Sequence, residues 1–129
     1  MRADALAWLA ASGRDEAMAL ELLGARLYEG SVFHCQQAAE KALKALLLVK
    51  GEQPLIHSCV RLLQILESAG VPIPTELEEA ARRLDIHYIA SRYPNGLGGA
   101  PETFYDEKLA KEAIEWMKTI REFVKLQMP

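Results

Sequence analysis

Apolar residues recur along this chain at intervals of three and four, and no segment shows the period-two alternation of a strand. The central run is SVFHCQQAAEKALKALLLVKG, Ser31 to Gly51. Good or acceptable helix formers fill it from Val32 to Lys50, with no Gly or Pro between. Ser31 is placed to cap the first turn, and Gly51 to take the left-handed position after the last. Ala38, Ala42, Ala45 and Val49 make one stripe, small enough for a second helix to come close. Gln37, Lys41, Lys44 and Leu48 make a stripe beside it. Glu40 precedes Lys44 by one turn, the favourable order for an exposed pair. The spacing therefore predicts a helix with an apolar face next to a polar, mostly basic face.

The same reading places helices on either side. A first helix runs from about Ala3 to Leu27, with Trp8, Ala11, Asp15, Met18 and Leu22 on its core stripe and Tyr28 to Gly30 as the turn after it. Asp15 is the one carboxylate on that stripe and needs a cation, because an unpaired buried charge is costly. Lys41, Lys44 and Arg92 are the candidates, and the reading makes Asp15 a structural ion pair rather than a catalytic base. His57-Ser58 opens a third helix, capped by Ser58 and ended by Gly70, with Leu62, Leu63, Leu66 and Ala69 apolar. His57, next to that helix start, reads as a hydrogen-bonded structural residue. Thr75-Glu76-Leu77-Glu78 has the form of a capping box. From it a fourth helix carries Leu77, Ala81, Leu84, Tyr88 and Ser91 inward until Pro94 stops it. Pro94 to Pro101, PNGLGGAP, follows a helix and lacks a closing Lys-Ser or Lys-Thr pair, so it reads as a connection rather than a phosphate cradle. Thr103 or Asp106 caps the last helix, where Leu109, Ala113, Trp116, Met117, Ile120 and Val124 form the core stripe.

These elements predict an all-α fold, an antiparallel up-and-down bundle of four long helices plus one short helix, in a single domain over residues 1–129. Phe33, Leu47, Phe104 and Phe123 are apolar surplus for such a bundle, and a homodimer is the expected outlet.

Composition narrows the function. Half the 129 residues are hydrophobic and 26% are charged, ordinary for a soluble domain. A net charge of -3 argues against a general nucleic-acid coat, which wants a strongly basic face. Cys35 and Cys59 lack metal-ligand spacing and read as buried thiols. No metal and no cofactor is expected. No stretch is apolar for long enough to cross a membrane, and charge enters early, at Asp4, where a signal peptide would be apolar. The cytoplasm is the expected compartment. No Ser-His-Asp, Cys-His or HExxH arrangement is present. The best cationic group is Lys41 and Lys44 with Arg92 and Tyr93. Arg offers a fork for phosphate, Lys a point charge, Tyr93 a ring for a base, and Gln37 an amide for a base edge.

The segment FHCQQAAEKALKALLL, Phe33 to Leu48, followed by His57 and by SRYP, Ser91 to Pro94, resembles the HEPN family. These small helical proteins are named for nucleotide binding in higher eukaryotes and prokaryotes. The resemblance covers nearly the whole chain. It implies a nucleotide- or RNA-binding protein that uses Gln37, Lys41, Lys44, Arg92 and Tyr93 as one surface. It also implies a role as the substrate-binding partner of a minimal nucleotidyltransferase encoded beside it, in a toxin–antitoxin-type pair. Other members are metal-independent ribonucleases that join an Arg and a His across a dimer, and Arg82 and His87 have roughly that spacing here. They precede Arg92, however, and no His follows Arg92, whereas the nuclease pair is expected near the start of the final long helix. The reading therefore prefers a nonenzymatic binding protein, with the ribonuclease as alternative. A structural dimer or antitoxin-like partner without ligand is the third reading.

Overall fold

Three helices of 21 or 22 residues carry the fold in the computed structural model, which describes residues 2–93 and 99–129. They are α1, Ala3–Gly24, α2, Tyr28–Val49, and α6, Glu107–Gln127. Between α2 and α6 lie α3, Cys59–Ser68, α4, Thr75–Asp85, and the single turn α5, His87–Ala90. A 3-10 turn, Pro101–Thr103, leads into α6. No strand occurs among the described residues. The molecule is the all-helical bundle that the periodicity predicts. The Gly-rich stretch at positions 94–98, with the expected stop at Pro94, lies outside the described residues.

α2 is the axis of the bundle. It packs against α1, α3, α4, α5 and α6, so even its polar residues are covered. Glu40 and Lys44, expected as an exposed pair, are 2% and 7% exposed. Leu47, expected as surplus surface, is fully buried. The core is made of Val32, Leu43, Leu46 and Leu47 of α2 against Leu62 and Leu66 of α3, Leu77 and Leu84 of α4, and Met117, Ile120 and Val124 of α6.

The helix ends show where local rules hold. α2 and α3 finish at Gly51 and Gly70, with φ of 86° and 92°. In each, the residue after the glycine donates back to the last turn, Glu52 N–H to Leu47 O and Val71 N–H to Leu66 O. That is the Schellman closure, which a left-handed residue permits. α1 ends the same way, but on Arg26, φ 63°, with Leu27 N–H bonded to Leu22 O. A non-glycine at that position hid the stop, so α1 is shorter than expected and Tyr28 to Gly30 belong to α2 as its first turn. Ser31 therefore sits inside α2. It caps nothing, and its hydroxyl donates to Ala19 O at 2.8 Å.

Asp106 caps α6 by accepting from Leu109 N–H at 2.8 Å, and Ser58 caps α3 by accepting from Arg61 N–H at 3.2 Å. Thr103 lies in the 3-10 turn instead. The capping box at Thr75 does not form: Pro74 is the residue before the helix, and no side chain closes the turn. The fourth helical segment divides at Ile86. Just before that break, the Asp85 carboxylate accepts from Ser58 Oγ at 2.9 Å, Cys59 N–H at 2.8 Å and Val60 N–H at 3.0 Å. One carboxylate thus takes up the open N–H groups of a neighbouring helix.

The buried face of α1 is also turned from the expected stripe. It consists of Ala5, Ser12, Asp15 and Ala19, while Met18 is exposed. Small residues meet the small stripe of α2, and the approach is close enough for Ser12 Oγ to donate to Ala38 O at 2.6 Å. Leu6, Met18, Leu20 and Leu27 are left on the outside of the α1 region, while Phe33 and Phe123 are half-buried. Phe104 remains exposed.

Candidate functional site

Two carboxylates are buried along the polar side of α2, and each holds one lysine and one histidine. Asp15 of α1 is 2% exposed. It accepts from Lys41 Nζ at 2.6 Å and lies 2.8 Å from His34 Nδ1. Glu40 accepts from Lys44 Nζ at 2.8 Å and lies 3.2 Å from His57 Nδ1. The Gln36 amide also reaches Glu40, at 3.4 Å. Each arrangement follows from helix spacing. His34 and Lys41 are seven residues apart, two turns on one face, and Glu40 and Lys44 are one turn apart. Lys44 also lies 5.4 Å from the Trp8 ring centre, so α1 closes over it.

A band of rings joins the two carboxylates. The Phe33 ring meets His34 edge-on at 5.2 Å and lies 6.5 Å from Tyr88. Tyr88 in turn stacks on His57 at 5.4 Å with only 10° between the planes. Arg92, just past α5, lies over this band. Its guanidinium carbon is 4.9 Å from Phe33, 4.7 Å from Tyr88 and 5.0 Å from Tyr93. Its Nε donates to Tyr88 O at 3.1 Å. Among the described residues no carboxylate pairs with Arg92.

The five residues expected to form one surface are therefore distributed. Arg92 meets α2 at Phe33, one turn from Gln37, and the Tyr93 ring lies 5.0 Å from the Arg92 guanidinium carbon. Gln37 Nε2 is engaged with Gln36 Oε1 at 2.7 Å. Lys41 and Lys44 lie 8 and 11 residues beyond Phe33, roughly 12 and 16 Å along a helix axis, and each already faces a carboxylate. Arg92 is thus the cation of the group whose charge is left uncompensated among the described residues.

Arg82 and His87 take different surroundings. Arg82 is exposed and lines a groove between α3 and α4, beside Gln64, Glu67 and Glu78. His87 is half-buried, 2.7 Å from the Tyr105 hydroxyl. Burial holds the His87 imidazole below the ordinary histidine value and pushes the Tyr105 phenol up to about 12. Among the described residues no cluster of His, Cys, Asp and Glu has the geometry of a metal site. Cys35 and Cys59 are buried thiols; burial, then the nearby Glu16, pushes Cys35 up to about 12. No helix of the described residues is long and apolar enough to cross a membrane.

Sequence reading did not bring out His34, Phe33 and Tyr88 as parts of a polar site. Phe33 and Tyr88 looked like core or surplus, and His34 was given no role of its own. One signal was available: His34 shares the stripe of Lys41, and both face a helix whose core stripe contains Asp15.

A family model described as HEPN domain matches residues 5–127. Three solved structures resemble the chain. TT1696 from Thermus thermophilus is 35% identical, with a TM-score of 0.88, over 96% of this chain and 98% of that one. ST0689, an archaeal HEPN homologue, is 34% identical, with a TM-score of 0.82, over 95% and 96%. An HEPN domain protein of Thermotoga maritima, tm0613, is 30% identical, with a TM-score of 0.75, over 92% and 93%. No curated protein sequence matches the chain.

Proposed function

This chain belongs to the HEPN domain family, and from that premise we propose that it is a nonenzymatic nucleotide- or RNA-binding protein. In this reading it presents its ligand to a minimal nucleotidyltransferase, as half of a toxin–antitoxin-type pair, and acts as a homodimer. The observation that carries the binding site is Arg92, held against three rings with no carboxylate beside it among the described residues. A guanidinium so placed keeps its fork for phosphate oxygens, and the exposed ring of Tyr93 offers a surface for a base. Gln37 lies one turn from Phe33 on α2. Lys41 and Lys44 lie farther along the helix, and each spends one of its three donors on its carboxylate.

The ribonuclease alternative, with Arg82 and His87, has less support. His87 is engaged with Tyr105, and Arg82 lies in the groove against α3. Calorimetry with ATP and with a short single-stranded RNA tests the proposal. The wild type is expected to bind at least one of them, more weakly as salt rises. The double variant Arg92→Ala, Tyr93→Ala is expected to lose that affinity. Equal affinity in the two proteins removes this site.

A further inference from the structure

Of the groups around the ring band, His57 stands out because its polar neighbours account for only one side of it. Its side chain is 60% exposed, yet it is held in place twice. Glu40 fixes Nδ1 at 3.2 Å, and the Tyr88 ring fixes the plane at 5.4 Å. A buried carboxylate accepts and does not donate, so the proton of the neutral imidazole sits on Nδ1. That leaves Nε2 on the far side of the ring as a lone pair when neutral and as an N–H donor when charged. Arg92 lies against the same Tyr88 ring, 4.7 Å from its centre.

We propose that His57 is a proton-switched ligand of the same anion site as Arg92, and that the pair is built for a diphosphate. The inference rests on the binding reading above and extends it to a residue and a ligand class. Two donors held against one ring match a ligand with negative charge at both ends. The charged groups around His57 fit this role. Glu40 and Lys44 of α2 compensate each other at 2.8 Å. Asp85 of α4 is committed to Ser58 and the first N–H groups of α3. Tyr88 of α5 contributes its ring, Arg92 its charge, and Cys59 of α3 is a buried thiol. None of these supplies a partner for Nε2. An anion that contacts the charged imidazole therefore takes up a proton on binding. By linkage, such a contact weakens as pH rises.

The test is calorimetry with inorganic pyrophosphate between about pH 6 and pH 8, in buffers of different ionisation enthalpy, on the wild type, His57→Gln and His57→Lys. Protons exchanged by pyrophosphate itself are common to all three proteins and cancel in the differences. The wild type is expected to take up more protons than His57→Gln and to lose affinity on the order of tenfold more steeply across the range. His57→Lys, with a fixed charge, is expected to hold its affinity to the upper end. An identical proton count and pH profile in wild type and His57→Gln overturns the proposal, as does a wild type that binds no pyrophosphate. If ATP and RNA bind while pyrophosphate binding ignores His57, this inference fails and the nucleotide reading survives. If pyrophosphate binding depends on His57 while neither ATP nor RNA binds, the nucleotide reading fails and the anion site stands.

Discussion

Asp15 shows how much rests on single charged atoms. Its carboxylate is 2% exposed and accepts from Lys41 at one oxygen while His34 lies at the other. Taking one member from a buried pair leaves the other uncompensated, at a cost of roughly 3 kcal/mol. Asp15→Asn is therefore expected to lower unfolding stability by about that amount in urea titrations. An unchanged midpoint would show that the carboxylate is solvated. His87 gives a pH dependence of known sign. Burial lowers its folded value, so the stability of this site is complete above the unfolded value, about 6.5, and is lost as pH falls through the folded one. The melting temperature is expected to fall between about pH 7 and pH 5, and less steeply in His87→Gln. Parallel profiles would remove His87 as a cause.

Elements are joined here by caps borrowed from their neighbours. Asp85, at the end of α4, takes the Ser58 hydroxyl and two N–H groups at the start of α3. A lost cap costs typically about 1 kcal/mol, up to about 2. Asp85→Ala is expected near or above the upper figure, since three donors lose their acceptor at once. Thr75→Ala is expected to change stability by less than about 0.5 kcal/mol, since Thr75 closes no turn. Cys59, under the Asp85 cap, reports on the same joint. Burial first, then Asp85, holds its thiol protonated. Native-state alkylation is therefore expected to be slow in the wild type and to speed up in Asp85→Ala. Equal labelling rates would mean that α3 stays docked without the cap.

At the scale of the whole molecule, Arg121 makes the side-chain hydrogen bonds of longest sequence separation among the described residues. That residue of α6 donates to Ser12 Oγ at 3.0 Å and to Glu16 at 2.7 Å, and Ser12 passes the chain of bonds to α2 at Ala38 O. α1 is held by this network and by its small-residue face, so its outer side keeps Leu6, Met18, Leu20 and Leu27 in the open. The proposed homodimer draws on that surface. Light scattering at micromolar concentration is expected to give twice the chain mass of 14.4 kDa. A monomer mass would place those side chains with the ordinary apolar surface of a soluble protein.

Helix identity was legible from the residues alone, because apolar spacing, Gly51, Gly70, Ser58 and Asp106 act within a few residues of where they stand. The presence of Asp15 on a core stripe was legible for the same reason. Four things were not. Arg26 takes a conformation usually given to glycine, and only the closing hydrogen bond reveals it. Glu40 and Lys44 have the sequence of a surface pair and are buried because α1 and the segment holding His57 fold over them. Asp85 caps a helix that begins 26 residues earlier, at Cys59. Phe33, His57, Tyr88 and Arg92 come together from three separate segments. Periodicity identifies the helices, since it depends on side chains one turn apart, but the buried face of α1 was set by its close approach to α2. Which charge meets which depends on how helices far apart in the chain are laid together, and that was decided only in the folded molecule.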